Sequence, residues 1–177
     1  FPEPTPYLSY SSYIPHYPRQ FPSLISGVGL RRYWTERNGQ IARDVEAGRI
    51  AFVIATGDAL DAVYKNKGPA AILPERDVIA LRSSFLQYND TIYILGRKIC
   101  PQDAGQTVEI FRSGTYSLDG GNLWIDGRLL ASGKSMLLDA GPHRMELDKR
   151  VCVKLWGLDH VPKLPENFPS GPIAGGF

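Results

Sequence analysis

After Pro101 the chain is cut by turn signals about every eight to ten residues, and this punctuation limits its fold more than any other feature. Asp119-Gly120-Gly121, Asp126-Gly127, Ser132-Gly133, Gly141-Pro142 and Asp148-Lys149 separate short runs at 108–110, 115–118, 122–125, 128–131, 135–138, 143–147 and 150–156. Runs this short are poor helices, because nucleation is costly, whereas Asp-Gly supplies the positive φ that tight hairpin turns require. Residues 102–158 therefore predict an antiparallel, sandwich-like module of hairpins.

Before Pro101 the pattern differs. Leu30, Tyr33, Trp34, Ile41 and Val45 recur at near-helical spacing, predicting one amphipathic helix over 30–46 with Gly48 as its C-terminal cap. The β-branched run 50–55 suits a strand buried on both faces. Asp58 can N-cap a short helix ending at Tyr64, with Asp61 in its first turn, and 66–74 reads as a loop. Pro74 and Asp77 then open a helix bearing Val78, Leu81, Phe85 and Tyr88, and 91–97 is a second strand. Two strands joined by helical crossovers predict a parallel pair with a right-handed connection. The fold class is α+β: a small α/β lobe over 30–101, followed by the β module. Residues 1–29, rich in proline and tyrosine, predict an extended arm, and 159–177 a loose tail. A chain beginning at Phe1 without an initiator Met predicts a processed product or a piece of something longer.

The formal charge is +2, with acids and bases interspersed, which provides no electrostatic footprint for nucleic acid. No apolar run approaches the roughly 20 residues that span a bilayer, so the segment reads as soluble. His16, His143 and His160 have no two-histidine metal spacing, and neither metal nor cofactor is expected. Gly27-Val28-Gly29 follows a proline-rich arm rather than a strand, and Lys65, Lys67 and Gly68 lack the phosphate-loop frame. Asp119 and Asp126 resemble paired carboxylates, but each sits in an Asp-Gly turn that accounts for it. No catalytic residue is assigned.

Three residues stand as ligand-binding candidates. Trp124 points to the opposite face from Leu123 and Ile125, either to stack on a sugar ring or to pack against the α/β lobe. Trp34 and Trp156 are expected in the core or between the lobes. Arg31 and Arg32 head a basic helix that includes Arg37, Arg43 and Arg49. It is either a solvated face partnered by Glu36, Asp44 and Glu46, or a surface for anionic lipid. Cys100 and Cys152 are either a disulfide tying the two lobes or two buried thiols.

Two stretches resemble a known family. The first is 41–54, Phe85-Leu86-Gln87-Tyr88 and Tyr93-Ile94-Leu95-Gly96-Arg97. The second is Gly114-Thr115-Tyr116, Trp124-Ile125-Asp126-Gly127-Arg128-Leu129-Leu130 and Ala140-Gly141-Pro142-His143-Arg144-Met145-Glu146-Leu147. Together they resemble the soluble tail of family 39-like, multi-spanning glycosyltransferases that use polyprenyl-phosphate sugars. A related frame occurs in extracellular sugar-associated sandwiches such as the PA14 type. The resemblance implies a domain outside the cytoplasm, in the periplasm, tethered to the inner membrane. Its partners would be the membrane-embedded portion of the parent chain and a polyprenyl-phosphate sugar or glycan acceptor. The family's catalytic acid lies between membrane helices, and no residue here corresponds to it. A free carbohydrate-binding module is the alternative, with a stand-alone hydrolase third.

Overall fold

The structure, a computed structural model, describes residues 6–9, 18–20, 27–36, 38–56, 60, 63–64, 73–103, 105–148 and 151–158. The Asp58 cap, Asp61, most of the 66–74 loop, the 159–177 tail and much of the arm lie outside the described residues. Three helices are described: α1 (Gly27–Glu36), α2 (Gln40–Glu46) and α3 (Glu75–Ser84). The strands are β1 (Tyr7–Ser9), β2 (Arg19–Gln20), β3 (Phe52–Ile54), β4 (Phe85–Gln87), β5 (Ile92–Ile99), β6 (Thr107–Ile110), β7 (Gly114–Asp119), β8 (Asn122–Ile125), β9 (Arg128–Ala131), β10 (Ser135–Leu138), β11 (Gly141–Leu147) and β12 (Val153–Gly157). The class is α+β, as the sequence predicts.

One eight-stranded sheet runs through both halves of the chain in the order β10-β7-β12-β5-β3-β1-β2, with β4 also paired to β5. Alternation along β5 sends Tyr93, Leu95 and Ile99 to one face. At one end that face is covered by helices: Val53 and Tyr93 form a core with Tyr33, Ile41, Val45 and Leu81. At the other end it is covered by a four-stranded sheet, β6-β11-β8-β9, whose Val108, Leu123, Ile125 and Met145 meet Leu95, Ile99, Leu118 and Leu155. The opposite face carries Tyr7 stacked on Phe52 at 5.3 Å, with Ile54 and Ile94 beside them and Trp156 packed against the group. The sandwich module is therefore built on the same sheet as the helical region.

Several expectations are corrected. The strands at 50–55 and 91–97 pair antiparallel, not parallel, in the register Val53↔Tyr93. A parallel arrangement does exist, but within the arm, where β1 lies between β2 and β3 and is parallel to both. The arm's prolines tolerate this because Pro6 and Pro18 precede the strands and contribute only carbonyls, to Ala51 N and Tyr7 N. The helix expected over 30–46 is two helices, broken where Gly39 takes φ 74°. The following helix stops at Ser84, so Phe85 belongs to a strand paired with Leu95.

The turns also divide into two kinds. Asp126-Gly127, with φ of 50° and 77°, closes a true hairpin between β8 and β9. The turns at Asp119-Gly120-Gly121 and Ser132-Gly133 instead carry the chain from one sheet to the other, since β7 and β10 belong to the large sheet and β8 and β9 to the small one; β11 and β12 likewise lie in different sheets. The alternating apolar pattern is identical in both cases, so only the buried layer between the sheets distinguishes them.

The seam between β5 and β12 explains two glycines. A Cβ on Gly96 would lie 2.8 Å from the Leu155 carbonyl oxygen, and one on Gly157 would lie 2.5 Å from a Leu95 methyl. Backbone cannot yield as a side-chain tip can. Gly96→Ala is expected to lower stability by about 2 kcal/mol in urea unfolding, the usual range for overpacking. An unchanged midpoint would show that the strands separate more easily than this contact implies.

Candidate functional site

The motif residues of the β module meet in one contact. The turn places Asp126 beside β11, where its Oδ2 lies 2.6 Å from His143 Nδ1 and its Oδ1 accepts the Arg144 N–H at 2.8 Å. His143 Nε2 lies 2.8 Å from the Asp139 carbonyl oxygen. Both ring nitrogens thus face acceptors, an arrangement satisfied fully only by the imidazolium. Burial opposes that charge, but the Asp126 carboxylate and the Asp139 carbonyl outweigh it, and the pKa of His143 is raised. The His143 hydrogen bond, then the Arg144 N–H, lower that of Asp126. The side-chain polar atoms of the pair tie the hairpin turn to β11 and β11 to the link that precedes it, which is the work of a latch.

The pH dependence follows from these directions. His143, with its folded pKa raised, contributes fully below the ordinary imidazole range and loses that contribution as pH rises through its raised value. Asp126, with its folded pKa lowered, contributes fully above the ordinary carboxylate range and loses it as pH falls through its lowered value. Stability from the pair is therefore greatest in the mildly acidic window between them. Replacing His143 by Gln is expected to cost about 1 kcal/mol there, discounted for the exposure of Asp126, and almost nothing at alkaline pH. Thermal melts across pH check this, and a cost independent of pH would contradict it.

Trp124 is 41 % exposed. It stands on the outer face of the small sheet, opposite Leu129 on β9 and Glu146 on β11, so the expectation that it packs against the α/β lobe is not met. Leu129 is exposed too, and on β11 the outward Arg144 and Glu146 form an ion pair at 3.0 Å. An apolar platform with charged neighbours is thereby presented to solvent. Trp34, expected in the core or between the lobes, is 40 % exposed on α1, whereas Trp156 is half-buried. Arg31 and Arg32 are exposed on α1, where Arg32 Nε donates to Glu36 Oε2 at 2.7 Å. The arginines belong to the helical layer and Trp124 to the small sheet, and the structure does not bring them together.

Cys100 and Cys152 form a disulfide, joining the end of β5 to the residue before β12 across a separation of 52 residues. It resolves the choice left open between a bridge and two thiols.

One cleft was not foreseen. It is a small, open depression where the helical layer and the small sheet meet above β5, with about 10 Å³ of space for a water-sized group, and is lined by Ser83, Ser84, Leu95, Gly96, Arg97, Ile110, Phe111, Arg112 and Tyr116. Arg97 Nη1 donates to the Glu109 carbonyl at 2.8 Å, and Tyr116 Oη donates to the Arg112 carbonyl at 2.7 Å. The Arg112 guanidinium also packs over Gly48, with atoms 3.1 Å from where a Cβ would stand, so a positive charge sits against the C-terminal end of α2. Ser84 is 5 % exposed, and its Oγ has no hydrogen-bond partner among the described residues. Among those residues no group of His, Cys, Asp and Glu is arranged to hold a metal ion, and no helix is long and apolar enough to cross a membrane. Comparison with protein-family models, curated proteins and solved structures gives no match.

Proposed function

We propose that this chain is a non-catalytic accessory domain of a family 39-like membrane glycosyltransferase, held outside the cytoplasm beside the membrane-embedded portion, where it helps to position the acceptor or the polyprenyl-phosphate sugar. The observation that carries the reading is the junction of the two resembling stretches. Strand β5, ending the first, pairs directly with β12, which pairs in turn with β7 of the second, and the Cys100–Cys152 bridge locks that junction. Disulfides persist in oxidising compartments, which supports a place outside the cytoplasm. Gly96, Asp126 and His143 of the resembling stretches serve as joints, as suits a domain that presents surfaces to a catalytic centre elsewhere. The coding sequence upstream of Phe1 tests the proposal at once: apolar spans of about 20 residues are expected, and their absence overturns it.

The exposure of Trp124 favours a second reading, a carbohydrate-binding module. Stacking on an aromatic face needs no metal or base, only an accessible ring with polar neighbours for the hydroxyls. Here Trp124→Ala should abolish sugar capture on a glycan array while leaving the melting temperature within about 2 °C, since surface substitutions change stability little. An intact chain that captures no glycan counts against this reading.

A further inference from the structure

We propose that the cleft at the seam binds an oxyanion of the phosphate class. The proposal goes beyond the accessory-domain reading and does not rest on it. Ser84, at the C-terminal end of α3, lines the cleft with a hydroxyl that is buried and unbonded among the described residues. A buried polar group left without a partner is costly, and such groups mark places where water or a ligand completes the bonding. Two arginines line the same space, Arg97 from β5 and Arg112 from the link between β6 and β7, with part of the Arg112 guanidinium buried. Guanidinium forks match the spacing of phosphate oxygens and hold them by charge-assisted hydrogen bonds.

The size of the space defines the mode. The depression has room for about one water-sized group. A single oxygen therefore enters to accept from Ser84 Oγ, while the rest of the group lies at the mouth beside the arginines. That excludes a buried nucleotide or sugar and fits a terminal phosphate carried by something larger or free in solution. The seam also joins the helical layer to the sandwich, so an anion bound there would bridge α3, β5 and the β6–β7 link.

The test uses the whole chain, titrated with inorganic phosphate at constant ionic strength against chloride, and separately mixed with phosphatidylcholine vesicles carrying a polyprenyl phosphate. Phosphate is expected to raise the melting temperature saturably and to shift the amide resonances of Ser84, Gly96 and Arg97. Ser84→Ala should bind roughly tenfold more weakly, the loss of one hydrogen bond to a charged group. Without ligand it should melt at the same temperature as the parent chain or higher, because it removes an unbonded buried hydroxyl. A Ser84-dependent response to dissolved phosphate assigns the site to a soluble ligand, and Ser84-dependent capture by the vesicles alone assigns it to a lipid-borne one. No saturable response in either arm, or a response unchanged in Ser84→Ala, overturns the proposal.

Discussion

Replacing Asp77 by Ala is expected to destabilise the chain by about 3 kcal/mol, because it removes a buried carboxylate on which two other groups depend. Asp77 is fully buried at the start of α3, yet its bonds lead to neighbouring helices. Its Oδ1 accepts the Ala42 N–H at 2.8 Å and its Oδ2 accepts the Tyr33 hydroxyl at 2.7 Å, while Tyr33 Oη accepts the Ile41 N–H at 2.8 Å. The N-terminus of α2 follows Gly39, which has no side chain to cap it. Asp77 and Tyr33 supply from α3 and α1 the acceptors that a serine or aspartate cap would otherwise provide. Burial first, with Asp77 adding to it, raises the Tyr33 pKa well above its ordinary range and keeps the phenol a donor. In Asp77→Ala the Ala42 N–H and the Tyr33 hydroxyl lose their acceptors. Asp77→Asn retains one acceptor and should cost roughly half as much. Urea denaturation gives both values, and a cost for the Ala variant below about 0.5 kcal/mol would mean that α2 is capped by other means.

Removing the disulfide is the second large effect. Serine at both Cys100 and Cys152 is expected to cost about 3 kcal/mol, mainly because the unfolded chain regains the freedom of a long loop. In the folded state the bridge adds little to what Val153↔Ile99 pairing already fixes, so the sheet itself should survive. Unfolding should consequently occur at lower denaturant with similar circular dichroism beforehand, and reduction of the parent chain should match the double variant. A variant with altered folded spectra would show that the bridge shapes the seam instead of merely holding it.

What could be read in the sequence, and what could not, divides along physical lines. Strand positions in the β module followed from alternation and turn chemistry, both local, and Asp126-Gly127 fixed its hairpin outright. Sheet membership was hidden, because crossing between sheets and returning within one leave the same alternating pattern. The direction of β3 against β5 is not legible, because a helical connection suggests a parallel pair, while β1, concealed among prolines, provides the parallel neighbour instead. The break at Asn38-Gly39 was visible in principle, since that dipeptide favours positive φ. Asp77 was placed at a helix start, but nothing local reveals that its carboxylate serves another helix. Of the candidate residues, Trp124 follows the alternation of its strand and stands exposed on the outer face of the small sheet. Ser84, Arg97 and Arg112 come together only through the seam, and no spacing rule connects them.

The proposed role, an accessory domain that positions substrate for a membrane glycosyltransferase without performing chemistry itself, is tested most directly by glycosyl transfer in membranes bearing the proposed parent enzyme, with residues 30–158 replaced by a flexible linker. A raised KM for acceptor or lipid-linked donor is expected, with kcat largely retained. Transfer or hydrolysis carried out by the isolated 177-residue chain, or kinetics unchanged by its removal, would contradict it.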